Sequence, residues 1–216
     1  KIEKADGSPL TSSDVALSHT QKIHLLAVDE SLNDYHHIHP VADSLFDGVW
    51  HFSLTPQLAG KYSVYLDFIP LKSPRRVLLS SSFTVKGKRD SIQARQENLK
   101  FSYEDINFEL IRDLQESTDD KKIITLKAVD KRGNDVTFHP VMGAFAHMVA
   151  FDSELNGFAH LHPISEDVPS SENRTHAGPL SFGFTAPKYG IYRLWAQVKT
   201  TTDKEIFIPF DLEFGT

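Results

Sequence analysis

Two stretches of this chain carry three histidines at one spacing. His24 is followed after twelve residues by His37-Ile38-His39-Pro40, and His147 after twelve by His160-Leu161-His162-Pro163. Residues two apart on a strand project from one face. A hairpin whose turn spans Asp29–Asn33 brings His24 level with position 37 or 39, where opposed Cβ atoms lie about 4.5–5.5 Å apart. Three imidazoles then converge on one face, and the same arithmetic holds for His147, His160 and His162. Pro40 and Pro163 end the return strand just past the last histidine.

The similarity extends beyond the histidines. Lys22–Pro40 aligns without a gap on Phe145–Pro163, at a constant offset of 123, and His24, Ala27, Asp29, Leu32, Asn33, His37, His39 and Pro40 all recur. After the proline the offset grows to 130, so the second copy carries seven more residues there. Gly48, Phe52, Thr55, Gly60 and Tyr62 then match Gly178, Phe182, Thr185, Gly190 and Tyr192. Self-similarity over this length indicates two domains of one fold, not a solenoid of short repeats. Gly60, Tyr62 and their partners read as fold-specifying. Asp29 and Asp152 read as turn formers that bond nearby backbone.

Strand signals dominate both halves. Ile23–Val28, Val49–Leu54, Tyr62–Ile69 and Val77–Val85 are rich in β-branched and aromatic residues, as are Ile106–Arg112, Lys122–Asp130, Ala144–Asp152, Leu180–Thr185, Ile191–Lys199 and Lys204–Phe214. Turn formers separate them, including Pro56–Gly60, Pro70–Pro74 and Lys131–Asp135. The expected fold is all-β: two tandem antiparallel sandwich domains of immunoglobulin-like or cupredoxin-like type. The boundaries expected are 1–87, a charged linker at 88–100 with at most one helical turn, and 101–216. The first domain is short of strands. Either Lys1–Ser18 or part of the linker completes its sheet, or the domain is incomplete.

Composition excludes several classes. The net charge is −6 and the charges are scattered, so no basic surface for nucleic acid is expected. No apolar run approaches the eighteen or so residues of a membrane-spanning helix. Cysteine is absent, which removes disulfides, thiolate metal sites and blue-copper sites. The chain opens on Lys1 with no charged-then-apolar leader, as would an exported protein after leader removal or a trimmed chain.

Imidazole is the commonest protein ligand of zinc and copper. His24, His37 and His39 are therefore candidate ligands of one ion, and His147, His160 and His162 of a second. Three histidines leave a position open for water or a fourth side chain. His36 and His51 in the first domain and His139 and His176 in the second are the fourth-ligand candidates. None has a histidine counterpart, since His36 aligns with Ala159 and His51 with Ser181. His19 is a candidate for the layer behind the ligands. The two methionines, Met142 and Met148, are too few for a methionine-rich Cu(I) carrier.

The run His19–Leu26 followed by Asp34-Tyr35-His36-His37-Ile38-His39-Pro40, with its companion Met142–His147 and His160–Pro163, resembles a motif of exported, largely uncharacterised bacterial proteins associated with heavy-metal or copper handling. A looser likeness is to CopC-type periplasmic copper carriers, which share the sandwich but not this spacing. The resemblance implies β-sandwich domains and a periplasmic or secreted location.

Three functions follow as expectations. The first is a two-site protein that buffers or carries Cu(II) or Zn(II), with affinity falling as pH drops through about 6.5. The second is a non-enzymatic interaction module for another exported protein, in which the histidines are structural. The third, a metal hydrolase or copper oxidase, lacks a matched general base, because Glu30 aligns with Ser153 and Ser31 with Glu154. It also lacks a G-x-S-x-G nucleophile.

Overall fold

The computed structural model describes residues 1–73, 75–113, 121–164, 174–200 and 204–214. The chain divides into two compact units, Lys1–Ile92 and Gln93–Thr216. Apart from one 3-10 turn at Ser12–Asp14, the regular structure among the described residues is β strand.

In the first unit the strands are β1 (Ile23–Asp29), β2 (Tyr35–Ile38), β3 (Val41–Ala42), β4 (Trp50–His51), β5 (Gly60–Phe68) and β6 (Val77–Val85). An antiparallel sheet runs β2-β1-β5-β6, and β3 pairs β4. Central strand β1, Ile-His-Leu-Leu-Ala-Val-Asp, is buried along its whole length, which explains its nearly unbroken apolar run. Ile23 packs with Leu10, Val15 and Phe68, and Trp50 and Leu66 lie against this cluster. The segment Lys1–Ser18, tied down by the Val15–Pro70 bridge and by Ala16 N–H donating to the Ile69 carbonyl at 2.8 Å, therefore supplies the layer opposite the sheet. The strand expected at Val49–Leu54 shrinks to Trp50–His51, because its partner β3 offers only two residues.

The second unit contains β7 (Lys100–Tyr103), β8 (Ile106–Asp113), β9 (Lys122–Asp130), β10 (Thr137–Phe138), β11 (Ala146–Asp152), β12 (Phe158–Leu161), β13 (His176–Ala177), β14 (Leu180–Phe184), β15 (Gly190–Lys199) and β16 (Glu205–Phe214). Two antiparallel four-stranded sheets, β12-β11-β15-β16 and β14-β9-β8-β7, form a sandwich, and β10 pairs β13. Phe108, Leu126, Phe138, Met148, Leu194 and Phe210 belong to one buried cluster. The stretch after Pro163 that carries the additional residues includes 165–173, outside the described residues, as is Pro74 of the expected Pro70–Pro74 turn.

Residues 88–100 form no helical turn, and both ends are tied to a unit. Arg89 pairs with Glu30 and lies 3.8 Å from Asp29. Arg95 Nη1 donates to Asp211 at 2.9 Å, and Asn98 exchanges backbone hydrogen bonds with Asp211.

Matched local geometry sets the repeat. Asp29 accepts from the backbone of Ser31, Asn33 and Asp34 at 2.8 Å each, which closes the β1–β2 turn. Asp152 accepts from Glu154 at 2.9 Å in the equivalent turn. Leu32 and Leu155 both take left-handed backbone, at φ 60° and 55°. Each tyrosine hydroxyl bonds the backbone four residues upstream, Tyr62 accepting from Leu58 N–H at 3.1 Å and Tyr192 donating to the Lys188 carbonyl at 2.9 Å, the tyrosine corner expected of such sandwiches.

The match also reaches upstream of the aligned segment. Ser18 and Gln21 exchange backbone hydrogen bonds across His19 (φ 49°) and Thr20 (φ 67°), and Val141 and Ala144 do so across Met142 (φ 48°) and Gly143 (φ 80°). Two consecutive positive φ values fit a type I′ turn. L residues are strained in this region by roughly 1–2 kcal/mol. Exposed Thr20 bears that strain where the second copy has glycine. Thr20→Gly is therefore expected to stabilise the protein by about 0.5–1 kcal/mol, after the entropy glycine adds to the unfolded chain. Gly143→Thr is expected to destabilise it by about 1 kcal/mol or more. Urea unfolding of both variants measures this; a destabilised Thr20→Gly would contradict the strain.

Candidate metal centres

His24 and His147 alternate along their strands with core residues (Ile23 and Leu25, Ala146 and Met148), so they project from the opposite face. Both are nonetheless 1% exposed. In the β1–β2 ladder Leu25 faces Ile38, and continuing that register places His24 level with His39. In β11–β12, Met148 faces Leu161, so His147 is level with His162. His37 and His160 lie two residues back on the same faces. The expected convergence is present in both units. Ring centroids in the first cluster lie 5.2, 5.0 and 4.8 Å apart, and in the second 5.4, 4.9 and 4.7 Å. In each triad, one nitrogen per ring lies within 4.8 Å of the other two.

The type I′ turns decide which nitrogens face inward. His24 Nε2 lies 2.9 Å from the Ser18 carbonyl, and His147 Nε2 lies 2.8 Å from the Val141 carbonyl. A carbonyl only accepts, so Nε2 carries the proton and Nδ1 of the neutral ring keeps its lone pair. That Nδ1 sits 3.0 Å from His37 Nε2 in the first cluster and 3.3 Å from His160 Nε2 in the second. Tetrahedral ligation at roughly 2.0–2.1 Å places donor nitrogens about 3.3 Å apart. Backbone bonding on the outer nitrogen is also how metal-ligating imidazoles are held. His39 Nε2 is buried without a hydrogen-bond partner, a costly state that a bound cation relieves. The residues thus fit Zn(II) or Cu(II).

The other candidates stay outside the clusters. His36 lies 2.8 Å from Asp34, and exposed His51 lies 2.6 Å from Asp43. His139 bridges Lys199 through backbone, while His176 contacts the Pro179 carbonyl at 3.2 Å and the Phe145 ring. His19 sits in the turn, its ring 6.1 Å from that of His24. The carbonyls of Ser18 and Val141 were not foreseen, because Ser18–Gln21 and Val141–Ala144 share no residue type at matched positions. Their only common signal is backbone conformation.

The units differ beside the hairpin turn. In the first, the buried Asp34 carboxylate accepts from Gln57 N–H at 2.6 Å and from the Tyr62 hydroxyl. Gly157 and Ala159 stand where Asp34 and His36 would be in the second. A cavity of about 370 Å³ remains there, lined by Asp152, Asn156, Phe158, Phe184 and Tyr192 among others.

Burial holds His39 down to about 4, with the His24 ring adding to the effect. Burial also lowers His24, against the opposing effect of its bond to Ser18. Proton competition at these two rings therefore begins below the 6.5 expected of free imidazole. The sign for stability follows. At His39 the unfolded chain binds more protons than the folded chain between about pH 4 and 6.5, and His24 acts in the same sense, so they contribute full stability above about 6.5 that is lost as pH falls. Urea midpoints of the metal-free protein are expected to fall over this window, and His39→Gln should flatten part of the slope. An unchanged slope would refute the assignment to His39.

Comparison with curated protein sequences yields no match. Among solved structures the chain is similar to the crystal structure of Parabacteroides merdae β-glucuronidase, at 9% identity and a TM-score of 0.24. That alignment covers 89% of this chain but 22% of the enzyme, and nothing about activity follows from it. One family model, described as a domain of unknown function, matches residues 1–87 and 102–215. The chain therefore belongs to this family, DUF8832.

Proposed function

We propose that this protein binds two metal ions, one in each unit, and buffers or carries Cu(II) or Zn(II) in a periplasmic or secreted setting. The observation that carries this reading is the recurrence of a histidine triad whose central imidazole is locked by a backbone carbonyl with Nδ1 turned to its partners. A purely structural cluster has no need for the same tautomer lock twice. His24, His37 and His39 would hold one ion and His147, His160 and His162 the other, each with a fourth position open to water or an incoming ligand. No general base recurs at matched positions beside the two triads, since Glu30 aligns with Ser153 and Ser31 with Glu154, which favours reversible capture over turnover. The donors suit either metal, and copper is the tighter binder by the general affinity order.

Native mass spectrometry of dialysed protein, titrated separately with Cu(II) and Zn(II), tests the reading. Wild type is expected to take up two ions, and His37→Ala/His160→Ala none specifically. Failure of wild type to bind either ion above background would overturn the proposal.

A second reading has one observation in its favour. Val41, Leu45, Phe46 and Phe52, on and around the β3–β4 ladder, are each at least half exposed, as in a protein-contact surface. Capture of one defined exported protein, retained in chelator and lost in Leu45→Ser/Phe46→Ser, would support an interaction module.

A further inference from the structure

The groups directly beside the two central histidines differ in charge. On β5, Asp67 faces His24 across the ladder; on β15, Gln197 faces His147. Directly opposed residues share a face, so each side chain flanks its imidazole on the side away from β2 or β12. Asp67 is 2% exposed and Gln197 3%. Their partners on the next strand side carry the opposite order of charge. Arg76, immediately before β6, donates to Asp67 Oδ2 at 3.0 Å, whereas Gln197 Nε2 donates to Glu205, the first residue of β16, at 2.8 Å.

Arg76 opposes positive charge at His24, and three details weigh the Asp67 carboxylate against it at the first site. Its Oδ1 is buried without a hydrogen-bond partner, so the carboxylate is incompletely compensated. Arg76 is 42% exposed at its side chain, and solvent screens its charge more than that of the carboxylate. Arg76 Nη2 also lies 3.4 Å from Ser18 Oγ, in the residue whose carbonyl locks His24, which links this pair to the ligand's orientation. At the second site the nearest flanking group is a neutral amide, and the acid is one strand farther away and exposed.

Building on the proposed metal binding, we infer that the two sites have unequal affinity: the His24 site fills before the His147 site, and Asp67 is the positioning residue that sets this order. A dication on His24 gains attraction from a buried carboxylate directly opposite on β5. Gln197 offers no such gain. Replacing groups in this outer layer typically changes metal affinity by about 10–100-fold, and the lower end is expected because Arg76 offsets part of the charge.

The experiment isolates each site. His160→Ala/His162→Ala leaves the first and His37→Ala/His39→Ala the second, and each is titrated with Zn(II) and with Cu(II) against a calibrated chelator. The first site is expected to bind about tenfold more tightly. Asp67→Asn in the first-site variant should remove most of that difference. Gln197→Glu with Glu205→Arg in the second-site variant should raise its affinity about tenfold, a gain that misfolding cannot mimic. The Cu(II) electron paramagnetic spectrum should stay unchanged in Asp67→Asn, since Asp67 is not a ligand. Equal affinities, no response to Asp67→Asn, or an altered copper spectrum would each overturn the inference while leaving metal binding intact. Absence of specific binding in both single-site variants would instead remove the reading beneath it.

Discussion

The hydrogen bond from a central imidazole to a turn carbonyl, His24 to Ser18 and His147 to Val141, governs both sites. Without it the ring could carry its proton on either nitrogen. A proton on Nδ1 would point at the other two histidines and block ligation. The bond needs a carbonyl held over the sheet face, and the two-residue turn with positive φ values provides it. Strain in that turn is sustained because its two ends are paired backbone to backbone and the strand below is fully buried. Local strain is commonly kept at functional positions in this way.

The remaining ligands depend on hairpin length. Asp29 gathers three backbone amides and Leu32 turns the chain through left-handed space, so the return strand begins at a fixed register. One residue more or less would send His37 and His39 to the opposite face. The aligned positions of Asp29, Leu32 and Asn33 in both copies therefore belong to the same requirement as the histidines, although they touch no ligand atom.

Much of this was legible in the sequence. The x12 spacing, the i, i+2 histidines and the apolar runs specify a hairpin on a buried strand, and the matched Gly60, Tyr62, Gly190 and Tyr192 read as fold-specifying. What was not legible depends on tertiary context. The carbonyl lock comes from turns with no shared residue types at matched positions. His36 was one of four candidates for a fourth ligand, and strand alternation turns it away from His37 and toward Asp34. The charge inversion at Asp67 and Gln197 lies on a strand far along the chain, visible only once the register is known. Lys1–Ser18 lacks strand periodicity, but Leu10 and Val15 still bury themselves against the sheet.

The two copies also differ in how solidly their hairpins are seated. In the first, Asp34 fills the space beside the turn and binds Tyr62 and Gln57. In the second, Gly157 and Ala159 leave a partly open pocket at the start of β12, the strand that carries His160. Side chains bordering such a pocket forgo dispersion contacts with protein partners. The second hairpin therefore leans on solvent where the first leans on a hydrogen-bonded carboxylate. A pair of nearly identical ligand sets comes to rest on one filled and one partly open foundation.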